Sequence, residues 1–292
     1  VYTIPYAIDA GGAITGYYED ASNNYHGFVR LSNGTITVID VSGDECGTLA
    51  QSINNNNVVT GNYNDDQCHA HGFIRSGSGG ITTFDVSGAE DTAPTGINNA
   101  GVVIGSYCGT GCSQYHGFER AANGKIKSFD PKNSTTTVPL SINKSGVITG
   151  IYNLDEGFVR AAGGTITSFL VDGGATDANC INDAGYIVGE YFTDDTFDGF
   201  LRAPDGKVTT IEPTGTTETF LSAINDKGVI TGAYFAADGM QHGFVRSAKG
   251  KYTTFDPKGS ADTFPEAIDK SGAITGWYAD SNGQIHGFVR TP

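Results

Sequence analysis

The sequence contains little positive charge. Its 292 residues include 17 Lys or Arg against 32 Asp or Glu, which gives a formal net charge of −15 at pH 7. Nucleic-acid binding relies on Lys and Arg that neutralise phosphates, so this composition argues against a nucleic-acid partner and equally against an anionic membrane surface. No run approaches the roughly 18 apolar residues that a membrane-spanning helix needs. We therefore expect a globular protein without membrane insertion.

Motifs of well-known catalytic classes are missing as well. The sequence has no Gly-x-Ser-x-Gly nucleophile elbow, no His-Glu-x-x-His zinc motif and no phosphate-binding Gly-x-x-x-x-Gly-Lys loop. Its apolar residues do not follow the 3.6-residue period of an amphipathic helix. The chain begins at Val1 without a basic and then apolar leader, so we expect any targeting peptide to have been removed.

Glycine is abundant instead, and its positions reveal an internal repeat. Seven of the 42 glycines open a Gly-Phe-x-Arg tetrapeptide that recurs at steps of 45, 45, 40, 42, 44 and 44 residues. Each copy follows an Ile-Asn or Ile-Asp pair and a Val/Ile-rich run that ends in Gly-x-Tyr, and six copies precede a segment such as residues 81–85. β-branched and aromatic residues favour strands, and Gly or Asn between them favours tight turns. Each repeat therefore predicts four short antiparallel strands, A to D, which is typical of a β-propeller blade.

The repeat count defines the predicted fold. We expect an all-β protein, a seven-bladed β-propeller of about 44-residue repeats that forms one domain over residues 1–292. The blades begin near residues 3, 48, 92, 137, 176, 219 and 263. The sequence starts within a strand A and ends after the seventh strand C, so the seventh strand D is missing. Either the last blade has three strands and the ring closes by packing of blade faces, which we favour, or flanking residues supply the fourth strand.

These motifs resemble a known repeat family. The order Thr-x-Pro-x-Ala-Ile-Asn, Gly-Val-Ile-Thr-Gly, His-Gly-Phe-Val-Arg and Ile-Thr-Thr-Phe-Asp is similar to that of HAF-type bacterial extracellular repeats, and the resemblance covers essentially the whole chain. It implies a secreted or surface-located propeller. It implies no catalytic residue.

Most histidines belong to the repeat and are predicted to be structural. Five of the six begin a strand C, and an antiparallel C–D hairpin brings each such His beside the Asp that ends strand D. In blades 4 and 5 the His and the Asp are replaced together, which suggests contact. The predicted pairs are His26 with Asp40, His71 with Asp85, His116 with Asp130 and His242 with Asp256. His69 falls outside this pattern and is a candidate ligand-binding residue.

Strand direction separates the loops into two ends of the ring. The B–C and D–A loops form one end, here called the mouth, where propellers usually bind ligands and where the carboxylates concentrate; most lysines lie at the other end, the base. Aromatic residues at variable positions near carboxylates suit sugar rings, and polar neighbours would fix their hydroxyls. The candidate ligand-binding residues are Tyr6, Tyr17, His69, Asn179, Phe220, Phe264, Glu266 and Trp277.

Blades 4 and 5 depart most from the repeat and carry the densest carboxylates. Two carboxyls about 5 to 9 Å apart can hydrolyse a glycosidic bond, and the candidates for that role are Asp177, Glu190, Asp194, Asp195 and Asp198. Loop carboxylates also suit Ca²⁺, for which Asp155, Glu156, Asp194 and Asp195 are candidates. No EF-hand spacing is present, so no cofactor is assigned and calcium stays open.

Four of the five cysteines lie in loops at the mouth. Cys108 and Cys112 can close a small loop, and Cys46 and Cys68 lie in adjoining loops, so we predict the disulfides Cys46–Cys68 and Cys108–Cys112. Zinc bound by the four cysteines is the alternative. Two disulfides would indicate an oxidising compartment.

The sequence predicts a binding protein ahead of two alternatives. We expect a secreted, monomeric propeller whose acidic, aromatic-lined mouth binds an extracellular small molecule or polysaccharide, with a neutral or cationic carbohydrate as the leading ligand. The first alternative is a glycan-cleaving hydrolase or lyase that uses carboxylates near blades 4 and 5. The second is a structural surface repeat protein without a small ligand.

Overall fold

The computed structural model describes residues 1–193 and 196–292, and these contain only β-strands as regular structure. Blades 1 to 3 comprise β1 (Tyr2–Ile8), β2 (Ile14–Glu19), β3 (Tyr25–Arg30), β4 (Ile36–Ile39), β5 (Thr48–Ile53), β6 (Val59–Asn64), β7 (Ala70–Arg75), β8 (Ile81–Phe84), β9 (Asp91–Ile97), β10 (Val103–Cys108), β11 (Tyr115–Arg120) and β12 (Ile126–Phe129). Blades 4 and 5 comprise β13 (Thr137–Ile142), β14 (Ile148–Tyr152), β15 (Glu156–Arg160), β16 (Ile166–Phe169), β17 (Ala175–Ile181), β18 (Ile187–Thr193), β19 (Thr196–Arg202) and β20 (Val208–Ile211). Blades 6 and 7 comprise β21 (Thr216–Ile224), β22 (Ile230–Ala236), β23 (Gln241–Arg246), β24 (Tyr252–Phe255), β25 (Ser260–Ile268), β26 (Ile274–Asp280) and β27 (Ile285–Arg290).

Each blade is an antiparallel sheet whose strands follow chain order. Six sheets have four strands, and the seventh has the three strands β25, β26 and β27. The seven-bladed propeller and its three-stranded last blade, both predicted from the repeat, are therefore confirmed. No helix in the described ranges is long and apolar enough to cross a membrane.

The strands A line the centre of the ring, and the ring closes without a shared sheet. Each strand A contacts the strand A of the next blade, and β1 contacts β25 to complete the circle. At this seam β1 also packs across β26 and β27, so blade 1 meets blade 7 through side-chain packing.

Adjacent blades pack through aromatic side chains and strand-C arginines. Phe158 of strand C has no exposed surface and meets Phe129 of the preceding strand D edge-on, with ring centroids 6.2 Å apart. The guanidinium of Arg160 lies 4.5 Å from the centroid of the same Phe129 ring, a cation–π contact. The same stack recurs where Arg120, Arg202 and Arg290 cover Phe84, Phe169 and Phe255. The repeated Gly-Phe-x-Arg motif thus encodes the blade interface.

Buried asparagines link the blades at the base of the channel. The Asn143 side-chain oxygen accepts the backbone N–H groups of Ser145 and Val147 in its own A–B turn, at 3.0 Å each. Its amide nitrogen donates to the backbone carbonyl of Asn182 in the next blade, at 3.2 Å. Equivalent donations run from Asn54 to Asn98, Asn98 to Asn143, Asn182 to Asn225 and Asn225 to Asp269. We call this series the asparagine girdle.

The girdle predicts a specific effect of replacing a buried asparagine. Asn143→Asp keeps the turn-capping oxygen but removes the donor, which leaves the buried Asn182 carbonyl without its partner. We expect a loss of about 1 to 3 kcal/mol in the free energy of unfolding, measured by urea denaturation. The control is Asn99→Asp, because the exposed Asn99 oxygen only accepts the Asn55 N–H at 2.9 Å and a carboxylate can do the same. If Asn143→Asp and Asn99→Asp had equal free energies of unfolding, the hydrogen bonds of the girdle would not contribute to stability as we expect.

Candidate functional site

Each strand A contains a β-bulge that adds one residue to the channel wall. In blade 4 the register against strand B shifts between Pro139 and Ser141, so Leu140 has no cross-strand partner. A Cβ on the facing Gly150 would overlap with the carbonyl oxygen of Val138, so the strand pair needs glycine at this position. The same shift occurs in all seven strands A. The bulge residues are Tyr6, Gln51, Thr95, Leu140, Asn179, Ser222 and Glu266.

The seven bulge residues surround one cavity in the channel. The cavity has a volume of about 390 Å³, and its wall includes Glu190, Phe220 and Leu221 besides the bulge residues. All seven bulge side chains are partly exposed within it. A repeat that is otherwise regular therefore presents seven different side chains to one space, which is how a repeat protein acquires a specific site.

Glu190 is a carboxyl in the channel wall with a strongly raised pKa. Burial, supported by the nearby Asp177 carboxylate, raises the pKa of Glu190 to about 8. The Asn179 amide nitrogen donates to Glu190 Oε2 at 2.7 Å and to the Leu221 carbonyl at 3.1 Å. Asp177 lies directly opposite Glu190 in the β17–β18 register, and burial raises its pKa too. Glu190 is thus protonated at neutral pH and held in one orientation.

Glu266 is the second carboxyl of the cavity. Burial raises its pKa to about 7, and the Trp277 indole N–H donates to Glu266 Oε1 at 2.9 Å. Trp277 stacks on Phe264 with ring centroids 3.8 Å apart and an interplanar angle of 12°. Phe264 and Trp277, both predicted for ligand binding, are not among the residues that line the cavity, and Trp277 orients the cavity residue Glu266.

Two aromatic residues predicted for ligand binding line the cavity itself. Tyr6 belongs to the bulge ring and packs on Tyr17, with centroids 5.5 Å apart. Burial, supported by Tyr6, raises the pKa of Tyr17 to about 12. Phe220, from blade 6, also lines the cavity and packs on Phe197, with centroids 5.4 Å apart. Both rings are backed by other rings, so their exposed surfaces face the cavity in a fixed position.

The predicted carboxylate cluster of blades 4 and 5 is divided by the fold. Asp198 lies in β19 and hydrogen-bonds with Glu212. In blade 5 these two residues occupy the positions that the His of strand C and the Asp after strand D occupy in most other blades. Glu156 accepts a hydrogen bond from the Tyr152 hydroxyl, and Asp155 is exposed in the preceding turn. These three residues belong to outer strands or loops, so they do not join Glu190 in the channel wall, and Asp177 lies beside Glu190 without lining the cavity. Asp194 and Asp195, assigned to both the catalytic and the metal candidates, lie outside the described residues.

The histidines lie on the outer rim or between blades. Their Nδ1 atoms approach carboxylates at 2.8 Å (His26 and Asp40), 3.1 Å (His71 and Asp85), 2.8 Å (His116 and Asp130) and 2.8 Å (His242 and Asp256). His69 Nε2 lies 3.2 Å from Glu90 Oε1 of the next D–A loop. His69 therefore links two loops and does not line the channel cavity.

Both predicted disulfides are present, so the four cysteines are not free thiolates that could bind zinc. Cys46 is bonded to Cys68, and Cys108 to Cys112. In the described part of the chain, the one group of at least three His, Cys or acidic side chains with converging ligand atoms is Asp91, Cys108 and Cys112. Its two sulfurs are joined in a disulfide and are not free thiolates, so this group does not offer the ligands that zinc requires.

Sequence reasoning missed four of the bulge residues: Gln51, Thr95, Leu140 and Ser222. A signal for them was present. The residue two positions before each repeat isoleucine is the variable position inside the motif Pro-x-Ala-Ile-Asn, and it varies in every blade. The channel positions can therefore be recognised in the sequence as the one position that varies within an otherwise repeated motif.

The pKa of Glu190 predicts how stability depends on pH. In the unfolded chain a Glu ionises near its ordinary pKa of about 4.3, and in the fold near 8. Between these values unfolding releases a proton, so the free energy of unfolding falls as pH rises, by at most about 1.4 kcal/mol per pH unit for this group. Glu190→Gln should reduce the slope of stability against pH between pH 5 and 8, measured by urea denaturation. Asp155→Asn, on the exposed rim, should keep the wild-type slope, and an unchanged slope in Glu190→Gln would refute the assignment.

Comparison with known proteins identifies the fold and nothing finer. A scan against protein-family models finds no match, and a search of curated proteins finds no relative. Virginiamycin B lyase from Staphylococcus aureus superposes with a TM-score of 0.65 at 14% identity, over 99% of this chain and 95% of that chain. The β-propeller domain of the Trilobed protease from Pyrococcus furiosus, which has an open velcro topology, gives 0.70 at 7% identity, over 99% and 92%. Puromycin hydrolase gives 0.64 at 11% identity, over 99% of this chain and 53% of that chain. The chain is similar to these proteins as a β-propeller.

Proposed function

We propose that the protein is a secreted propeller that binds a small neutral carbohydrate in its channel cavity. The observation that carries this proposal is the pair of carboxyls with raised pKa, Glu190 and Glu266, facing one cavity of about 390 Å³. A protonated carboxyl both donates and accepts hydrogen bonds, as a sugar hydroxyl does. Tyr6 and Phe220 offer apolar ring surface in the same cavity, and the volume falls in the range of small-molecule sites.

The charge state of the cavity favours a neutral ligand over a cationic one. The acidic loops at the mouth are separate from the cavity, where burial keeps Glu190 protonated at neutral pH. A cationic sugar would need ionised carboxylates as partners, whereas a neutral sugar needs donors and acceptors. The chemistry of the cavity therefore narrows the neutral or cationic expectation to the neutral class.

Secretion is part of the same proposal. The two disulfides support it because such bonds persist in oxidising compartments. The resemblance to HAF-type extracellular repeats supports it independently.

Carbohydrate binding predicts a response to pH and to mutation. A panel of neutral mono- and disaccharides is titrated calorimetrically against the protein at pH 6 and pH 9. We expect a binder at pH 6 whose affinity falls at pH 9, because ionisation of Glu190 removes a donor and introduces a buried charge. Phe220→Ala should weaken binding at least tenfold, which corresponds to about 1.4 kcal/mol. In Glu190→Gln the amide keeps a donor at both pH values, so the pH effect should shrink.

The matched control is Asp155→Asn, which changes a carboxylate on the rim outside the cavity. It should bind as the wild type does. Absence of binding across the panel, or binding that Asp155→Asn weakens and Phe220→Ala does not, would overturn the channel proposal.

A second candidate function is glycan cleavage by Glu190 together with Asp177 of the adjacent strand. Asp177 and Glu190 face each other across β17 and β18, and only Glu190 has a pKa raised to about 8. Glycosidases use a pair of neighbouring carboxyls in which one is protonated and acts as the acid. This candidate differs from binding alone in requiring turnover.

Turnover is tested by release of reducing ends from an oligosaccharide panel. If Glu190 is the acid, Glu190→Gln should lower kcat by at least about a hundredfold. Asp177→Asn removes the nearby charge that adds to the effect of burial on the pKa of Glu190, so the alkaline limb of the pH–rate profile should move to lower pH. Turnover that persists in Glu190→Gln would exclude this site, and neither binding nor turnover in any assay would favour the structural alternative.

A further inference from the structure

The two blades that close the ring carry Asp where the other five blades carry the asparagine of the girdle. Asp9 follows β1 in blade 1, and Asp269 follows β25 in blade 7. Both side chains are buried, with 5% and 6% of the residue surface exposed. Both line a polar pocket of about 220 Å³ at the base of the channel, here called the base pocket. Burying a carboxylate is costly unless hydrogen-bond donors or a cation compensate its charge.

One oxygen of each carboxylate caps the A–B turn that follows it. Asp9 Oδ1 accepts two backbone N–H groups of its own turn, at 2.7 and 2.8 Å. Asp269 Oδ1 accepts three, at 2.7, 2.8 and 2.9 Å. The side-chain oxygen of Asn143 caps its turn in the same way. The two aspartates therefore adopt the side-chain orientation of the girdle asparagines.

The second oxygen, Oδ2, takes the place of the asparagine amide nitrogen. In the girdle that nitrogen donates to a backbone carbonyl of the next blade, as Asn54 does to Asn98 at 3.0 Å. By the same geometry Asp269 Oδ2 is directed at the Asp9 carbonyl, and Asp9 Oδ2 at the Asn54 carbonyl. Within residues 1–193 and 196–292, no N–H or O–H group donates to either Oδ2. At two neighbouring seams an anionic oxygen thus faces a carbonyl oxygen, and the two repel each other unless a positive charge lies between them.

The lysines of the base pocket do not supply this charge. Lys144 Nζ lies 3.2 Å from Asp183 Oδ2, in blades 4 and 5. Lys270 is exposed and forms no ion pair with a described carboxylate. The residue after Asp9 is Ala10, which has the smallest side chain at this position of the seven repeats. It leaves room in the base pocket for water beside the carboxylate.

We propose that the base pocket binds Ca²⁺ where the ring closes. The ion takes its protein ligands from the carboxylates of Asp9 and Asp269 and from the backbone carbonyls of Asp9 and Asn54, and water completes its shell. Carboxylates, backbone carbonyls and water in a flexible arrangement are the ligands of Ca²⁺, whereas Mg²⁺ demands a tighter octahedral shell. The ion then joins blades 7, 1 and 2 where the amide donors of the girdle are missing.

This site differs from the calcium candidates of the sequence analysis. Those candidates lie in loops at the mouth, whereas Asp9 and Asp269 lie at the opposite end of the ring. The site is also separate from the cavity of the bulge residues, so it does not depend on carbohydrate binding.

Ca²⁺ binding is tested by calorimetric titration and thermal unfolding of protein treated with EDTA. We expect saturable Ca²⁺ binding and a melting temperature that rises with Ca²⁺ concentration, because a ligand of the folded state stabilises it. The double variant Asp9→Asn with Asp269→Asn should lose Ca²⁺ binding. In EDTA it should melt at a higher temperature than the wild type, because each new amide donates to the carbonyl that it faces.

The matched control is Asp226→Asn, which removes a carboxylate from the same pocket. Asp226 is exposed, and its Oδ1 accepts the Asp183 N–H at 2.9 Å, as the Asn55 amide oxygen does for Ala10. This variant should therefore bind Ca²⁺ as the wild type does. Equal loss of Ca²⁺ binding in Asp226→Asn and the double variant would overturn the proposal, because the effect would then come from the overall charge of the base.

Two further outcomes would overturn it. The first is a wild-type melting temperature that NaCl of equal ionic strength raises as much as CaCl₂ does. The second is a wild type that melts at the same temperature in EDTA and in Ca²⁺ while the double variant is more stable. That result would identify a proton, held between each carboxyl and the facing carbonyl, as the compensating charge.

Discussion

The close approach of strands A and B at one glycine determines both the blade and the channel. In blade 5 a Cβ on Gly189 would overlap with the carbonyl oxygen of Asp177, so the two strands can approach this closely only where strand B has no side chain. This approach accompanies the bulge that leaves Asn179 without a cross-strand partner. The glycine is constant and the bulge residue is free to vary. The architecture and the composition of the site are consequently encoded at separate positions of the same motif.

The asparagine girdle is interrupted in blades 1 and 7, so the ring has fewer hydrogen bonds between blades there. Asp9 and Asp269 take the asparagine position in blades 1 and 7, and their carboxylates cap their own turns, as Asp9 does for Ala13 at 2.8 Å. A carboxylate cannot donate, so Asp269 makes no such bond to blade 1 and Asp9 makes none to blade 2. The seam that lacks a strand D at its rim therefore also lacks an asparagine bond at its base. Closure there relies on the packing of β1 against β26 and β27.

Repetition made the fold predictable, and the bulge limited prediction of the site. Seven aligned copies made the strand order of each blade predictable, because each strand could be checked against its counterparts in the other blades, whereas the two disulfides followed from the positions of the cysteines in neighbouring loops. The channel residues resist such reasoning because an extra residue in strand A interrupts the alternation of faces on which a strand pattern depends. Asp198 is a candidate beside Glu190, and Glu156 a candidate for calcium, because blades 4 and 5 depart most from the repeat. Their strands lie farther from the axis, and only the sheet order reveals that separation.

The two cavity carboxyls are costly to a protein that needs only to fold. Blade 4 has Leu140 at the bulge position, so an apolar residue is accepted there, whereas blade 7 has the half-buried Glu266, which accepts a hydrogen bond from Trp277. Burial raises the pKa of Glu190 to about 8 and that of Glu266 to about 7, so both carboxyls hold a proton more readily than an exposed Glu does. Across a single cavity two such carboxyls can donate as well as accept hydrogen bonds. A ligand that both accepts and donates hydrogen bonds, without charge of its own, matches this pair in a way that a purely structural channel would not require.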